Sequence, residues 1–212
     1  MPKSFSVCVV LICYWLVFSC SEPTKNDNFT PETKWKTVFF DDFNRTNTNN
    51  GNLGDNWNVS IEYDGLMQII NNEVYTEGYN PRAVYINDID YTTMRITVKA
   101  RTDTNIYAGM ELFVRTDSNM TEGYFVGKRG GLCFTENRNE GWLTGDHCEL
   151  HPHTTYILQI VTDSTDFACT IEDSVDFEDW EPIYHYGDLV SGKVGFSAHG
   201  VRIDDFRIEI PE

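Results

Sequence analysis

From Trp35 onward the chain alternates short apolar runs of strand length with breaks at Gly, Asn or Asp, and that rhythm limits the folds open to it. Strand-like stretches fall at 35–43, 57–63, 66–70, 73–76, 82–86, 91–101, 107–116, 123–128, 131–136, 154–163, 166–173, 193–198 and 201–210. Asn71-Asn72, Gly130-Gly131 and the segment 137–141 supply turn chemistry between them. Only 176–180 reads as a helical turn. Many short strands without alternating helices predict an all-β fold, an antiparallel two-sheet sandwich or jelly roll. The first and last runs, Phe39-Phe40-Asp41-Asp42-Phe43 and 201–208, share one signature and are expected to meet.

Side chains alternate between the two faces of a strand, so the pattern also assigns faces. In 94–101, Ile96, Val98 and Ala100 oppose Arg95, Thr97, Lys99 and Arg101. In 107–115, Met110, Leu112 and Val114 oppose Tyr107, Glu111, Phe113 and Arg115. Each strand then has one core face and one wetter face, as antiparallel sheets commonly do. Trp35 and Trp57 are expected in the core.

With 212 residues, 41% of them hydrophobic and 14% aromatic, the chain can bury one sizeable domain. Its formal charge of -17 argues against a nucleic-acid partner, which would require Lys and Arg to displace counterions from phosphate. Broad adhesion to anionic membrane surfaces is disfavoured for the same reason.

The first 19 residues read as an export signal: Lys3, then a mostly apolar run from Phe5 to Phe18 that is too short to span a bilayer. Ser19-Cys20 resembles the end of a bacterial lipoprotein box, in which Cys20 would be lipidated, although Val17 and Phe18 depart from the usual box. Cleavage by ordinary signal peptidase is the alternative, and both routes lead to an oxidising, non-cytoplasmic location, the bacterial envelope or the medium. Residues 20–34 are polar, with Pro23 and Pro31, and read as a tether ahead of a sandwich at 35–212. Cys133, Cys148 and Cys169 remain in the mature domain. Cys169 alternates in phase with Phe167 and Ile171 and reads as a buried thiol. A Cys133–Cys148 bridge would add roughly 3 kcal/mol by closing its loop. A simple hairpin turning at 137–140 would instead set Cys133 opposite residue 144 or 145, which weighs against that bridge. The sequons at Asn28, Asn44, Asn58 and Asn119 would matter only in a eukaryotic source.

Several fragments together resemble the concanavalin A-like lectin/glucanase superfamily, specifically its bacterial laminin-G-like modules. They are 39–45 followed by Leu53-Gly54-Asp55-Asn56-Trp57, then Gly123-Tyr124-Phe125-Val126, then Gly192-Lys193-Val194-Gly195-Phe196 leading into 201–208. The resemblance covers most of 35–212. It implies a jelly roll of two curved antiparallel sheets, often binding glycans and sometimes holding a structural calcium. Because such folds host both binding modules and enzymes, function has to be argued from the site.

Glycosidase chemistry needs two carboxylates flanking the scissile bond. Glu62-Tyr63-Asp64 begins a Glu-x-Asp-x-x-Glu pattern, but Met67 stands where the last Glu belongs. Glu172 and Asp173 are adjacent and would diverge in a strand. His147, His151 and His153 beside Asp146 and Glu149 could make a surface metal site, but a polar loop turning at Pro152 accounts for them as well. Calcium is the better metal expectation: Asp41 is in phase with Phe39 and Phe43, and Asp204 with Phe206, Ile208 and Ile210, so both acids would point inward and share a hard cation.

For a ligand, the stretch from Arg95 to Arg129 is rich in bases within an acidic chain. Three consecutive strands of one sheet would place Arg95, Lys99, Arg101, Arg115 and Lys128 on a non-core face with Tyr107, Glu111 and Tyr124. Guanidinium forks there could pair with carboxylate or sulfate, and rings could stack on sugar. Trp142 and Trp180 mark an alternative site in loops, with Tyr184 and Tyr186. The leading reading is a non-catalytic, surface-tethered carbohydrate-binding module for an anionic polysaccharide. An envelope adhesion protein with a protein partner and a polysaccharide hydrolase or lyase are the alternatives.

Overall fold

The computed structural model describes residues 33–48, 52–60, 66–77, 82–86, 89, 91–102, 108–129, 132–147, 151–164, 166–173, 183–186 and 189–212. The export segment, Cys20, Tyr107, Cys148, Trp180 and the helical turn expected at 176–180 lie outside them. Every regular element among the described residues is a strand, in the order β1 (Trp35–Asp41), β2 (Trp57–Val59), β3 (Leu66–Ile70), β4 (Glu73–Glu77), β5 (Arg82–Ile86), β6 (Met94–Thr102), β7 (Gly109–Thr116), β8 (Tyr124–Arg129), β9 (Leu132–Asn137), β10 (Trp142–His147), β11 (Thr155–Asp163), β12 (Asp166–Asp173), β13 (Ile183–Tyr186), β14 (Lys193–His199) and β15 (Val201–Pro211). Two of these, β10 and β13, escaped the sequence pattern: Gly145 and Asp146 dilute the first, and the second has four residues.

The strands form two antiparallel sheets. The first runs β13-β12-β11-β6-β15-β4-β3, with β1 also on β15; the second runs β10-β9-β8-β7-β14-β5-β2. As the shared signature predicts, β1 and β15 are partners, Asp41 standing opposite Phe206. The inward residues follow the alternation in β6, where Met94, Ile96, Val98 and Ala100 are buried. Between the sheets Trp57 packs against Phe206, Phe196, Phe43 and Phe39, with ring centroids 5.1, 5.2, 5.8 and 5.9 Å away. Tilted and edge-on pairs of this kind add about 0.5–1.5 kcal/mol each beyond area burial. The Trp57 indole N–H donates to Asp41 Oδ2 at 2.7 Å.

Four expectations are corrected. First, β6 belongs to the first sheet while β7 and β8 belong to the second, so the three consecutive strands do not share a face. Alternation fixes which side of a strand is inward but not which sheet the strand joins.

Second, the face of β7 and β8 expected to be wet carries its own apolar cluster, Ala83, Phe113, Met120, Phe125 and Phe134, all buried. The Arg138 guanidinium lies over the Phe125 ring, 3.7 Å from its centroid.

Third, β15 contains a bulge. Its register against β6 slips between Asp204 and Arg207, and Asp205 takes a φ of 49°. An extra residue of this kind reverses the phase of the strand beyond it. The buried apolar residues are therefore Val201 and Ile203 before the bulge, and Phe206 and Ile208 after it.

Fourth, the β9–β10 hairpin sets Cys133 opposite Asp146, farther along than the simple turn implies. Cys133 is disulfide-bonded, to a cysteine whose side chain lies outside the described residues.

Candidate ligand-binding site

The outer face of the first sheet is built in rows by cross-strand pairing. Tyr75, Arg202, Arg101 and Thr155 make one row. Lys99 and Ile157 lie in the next, beside the bulge at Asp204 and Asp205. Phe40, Arg207, Thr97 and Gln159 form the third, and Glu209, Arg95 and Val161 the fourth. Strand alternation drives Ile96, Val98 and Ala100 inward, and so leaves Arg95, Thr97, Lys99 and Arg101 outward.

Nearly every charge on this face is braced. Arg95 Nε donates to Glu209 Oε2 at 2.6 Å. Lys99 Nζ pairs with Asp205. Arg101 Nη2 donates to both oxygens of Glu73 at 3.0 and 3.1 Å, and Arg202 Nη1 reaches the same carboxylate at 3.4 Å. Three of the bases also lie over rings: Arg95 over Trp35, Arg207 over Phe40 and Arg202 over Tyr75, with guanidinium carbons 4.8, 4.9 and 5.1 Å from the centroids. Trp35 is thus half-buried beneath Arg95 on this face rather than in the core. Arg207 is exposed and makes no ion pair among the described residues, and the Phe40 ring beside it is 46% exposed.

Two hollows open on this face. One, of about 390 Å³, is lined by Arg95, Thr97, Lys99, Gln159, Arg207 and Glu209, with Ile157 and Asp205. The other, of about 360 Å³, is lined by Glu73, Lys99, Arg101, Arg202, Asp204 and Ile157, with Ala100 and Thr155. Burial in the second hollow pushes the Asp204 carboxyl above the ordinary carboxylate range. The backbone N–H of Asp205 opposes that shift, the charges of Asp205 and Glu73 add to it, and Lys99 opposes it again.

Of the residues expected to bind ligand, Arg95, Lys99 and Arg101 are together here. The others are elsewhere. Glu111 faces outward on the second sheet, 4% exposed, paired with Arg129 and accepting from Ser197 Oγ at 3.1 Å. Arg115 is internal: its two terminal nitrogens donate to the carbonyls of Leu189 and Thr92 at 2.7 and 2.8 Å. Tyr124 and Lys128 share the inward phase of β8 with Val126. Tyr124 stacks on Phe167 at 4.3 Å, and the Lys128 ammonium lies 4.8 Å from the Tyr156 ring centroid. The expected basic face therefore does not exist as one surface. Trp142 stands opposite Asn137 in the backbone of β10, its side chain outside the described residues, as are those of Tyr184 and Tyr186. Missed by the sequence reading were Arg202, Arg207, Phe40 and Tyr75, whose cross-strand neighbours are what make them part of the site.

The expected calcium pair is also separated. Asp41 is buried and already engaged: Oδ1 accepts from Phe43 N at 2.8 Å and pairs with Arg45, while Oδ2 takes the indole. Asp204, turned by the bulge, lines the outer hollow instead. Among the described residues no group of three or more His, Cys, Asp or Glu is placed to hold a metal ion. Nor is any described helix long and apolar enough to cross a membrane.

No protein-family model and no curated protein sequence matches the chain. Solved structures do. A Bacillus subtilis protein of unknown function with a galectin-like fold is 11% identical, with a TM-score of 0.58 over 84% of this chain and 100% of that one. The carbohydrate-binding module CBM66 from Bacillus subtilis is 12% identical, with a TM-score of 0.55 over 71% of this chain and 91% of that one. Lectin II from Ulex europaeus is 7% identical, with a TM-score of 0.54 over 82% and 98% respectively. At these identities the likeness shows the fold alone, and the fold is the concanavalin A-like jelly roll.

Proposed function

We propose that this chain is a non-catalytic carbohydrate-binding module whose ligand is an anionic polysaccharide held on the outer face of the first sheet. The observation that carries the reading is the pair of adjoining hollows lined by braced guanidinium and ammonium groups. Side chains already fixed by Glu73, Asp205 and Glu209 lose little freedom when a ligand arrives, and planar guanidinium groups match carboxylate and sulfate. Neutral Thr97 and Gln159 offer hydrogen bonds to hydroxyls, and Phe40 offers an exposed ring edge for sugar C–H groups. Carbohydrate-binding and lectin names among the fold neighbours support the same class of ligand. Three of the four carboxylates lining the hollows are tied to bases, which suits bracing rather than proton transfer.

The module would be held at a bacterial surface through Cys20 and the polar segment 20–34. A glycan array of uronate, sulfated and neutral saccharides tests the reading. Selective binding to anionic chains, weakening as salt rises, is the expected result. Lys99→Ala with Arg207→Ala should weaken that binding and leave the melting temperature unchanged. An array without saccharide-selective binding would refute the carbohydrate reading; salt-independent binding that survives both changes would place the site elsewhere.

A further inference from the structure

The two hollows share Lys99 and Ile157, so they adjoin along β6. Their arginines gather at the two far ends. Arg101 and Arg202 are cross-strand partners at one end, both resting on Glu73. Arg95 and Arg207 stand at the other, Arg207 opposite Thr97. Arg95 and Arg101 are six positions apart in β6, a span of about 20 Å at the rise of a strand. Between them lie the Lys99–Asp205 ion pair and Asp204, with the apolar Ile157 and with Gln159, whose Nε2 donates to Thr97 Oγ1 at 3.3 Å. No single sugar ring bridges that span.

We propose that the two hollows form one groove that takes an internal stretch of a linear anionic polysaccharide, with acid groups of the same chain gripped at one end by Arg101 and Arg202 and at the other by Arg95 and Arg207. This rests on the carbohydrate-binding reading above and adds that the ligand is recognised along its length, not at a chain end. A short oligomer reaches one arginine pair. A longer one reaches both, and its second contact is intramolecular, so affinity rises without any new kind of contact. Glu73 holds Arg101 and Arg202 in place, while its negative charge competes with the ligand's acid groups for them.

The test is calorimetric titration of the protein with oligogalacturonates of two, four and six residues, alongside heparin-derived oligosaccharides of the same lengths. The uronate and sulfate series separate the two sources of negative charge. The hexasaccharide of the preferred series should bind roughly tenfold or more tightly than the disaccharide. Arg101→Gln with Arg202→Gln should bring the hexasaccharide down to the disaccharide's affinity while disaccharide binding persists at the other end. Glu73→Gln, which keeps an oxygen acceptor to hold the two guanidinium groups and removes the competing charge, should tighten hexasaccharide binding. Equal affinities for all lengths, loss of disaccharide binding in the arginine variant, or an unchanged affinity in Glu73→Gln would each overturn the groove and leave the glycan reading standing. Failure of every anionic oligomer to bind would overturn both.

Discussion

Asp41 closes the inner end of β1, and its removal is the sharpest test of how the two sheets are joined. The residue is 9% exposed, and its carboxylate receives three groups: the Trp57 indole N–H, the backbone N–H of Phe43 and the Arg45 guanidinium. In Asp41→Ala the indole and the amide lose their acceptor inside the aromatic cluster. A buried donor left unsatisfied costs about 1–3 kcal/mol, so two of them, partly relieved by water entering the vacated volume, should cost about 3 kcal/mol. For a domain of this size that corresponds to a fall in Tm of about 6–12 °C. Denaturant unfolding followed by tryptophan fluorescence, and calorimetric melting, measure it. A double-mutant cycle with Trp57→Phe isolates the indole contact: Asp41→Ala should be milder by about 1 kcal/mol once the indole N–H is gone. A melting point within about 2 °C of wild type, or a cycle additive to within about 0.5 kcal/mol, would refute the claim that this contact anchors β1. The same perturbation should weaken glycan binding, because Phe40 and its partner Arg207 are held by the β1–β15 pairing.

Arg115→Ala should unfold more easily by about 3 kcal/mol, from two lost charged hydrogen bonds, with glycan affinity of the still-folded protein unchanged. Denaturation and titration of one sample check both. Asp204 has a raised carboxyl pKa in the fold, so between the ordinary carboxylate value and the raised one the unfolded chain carries fewer protons, and stability falls as pH rises. Asp204→Asn should therefore be neutral or stabilising near pH 7 and lose any advantage in acid, as melts across pH will show. Lipidated Cys20 should carry wild-type protein into the detergent phase, and Cys20→Ala should leave it aqueous or unprocessed; two acyl chains anchor stably where one does not. Wild-type protein in the aqueous phase, with Cys20 or Ser21 as a free N-terminus, would contradict lipidation.

The inward residues of β6 and the meeting of β1 with β15 were legible because alternation and the repeated Asp-Asp-Phe are local signals. Sheet membership was not. Tyr124, Phe125 and Val126 are apolar on both faces of β8, so periodicity could not tell that Lys128 points inward with Tyr124. The bulge at Asp204-Asp205 rests on a left-handed backbone at a non-glycine residue, and nothing in the composition of β15 announces the reversal of phase. A strictly alternating reading therefore sends Asp204 to the core and creates a metal pair that the fold does not form. Arg207 and Phe40 were invisible as a site because they are far apart in the chain and become neighbours only through register.

The pairing of Trp35 with Pro211, extended by the hydrogen bond from Glu212 N to the Lys34 carbonyl at 3.0 Å, brings the two ends of the fold side by side. A pull applied between those ends would load the β1–β15 hydrogen bonds one rung at a time, as a zipper opens, instead of all together in shear. Because β1 joins the first sheet by pairing with β15, a drag transmitted from the outer face of that sheet to residue 34 passes through the same seam.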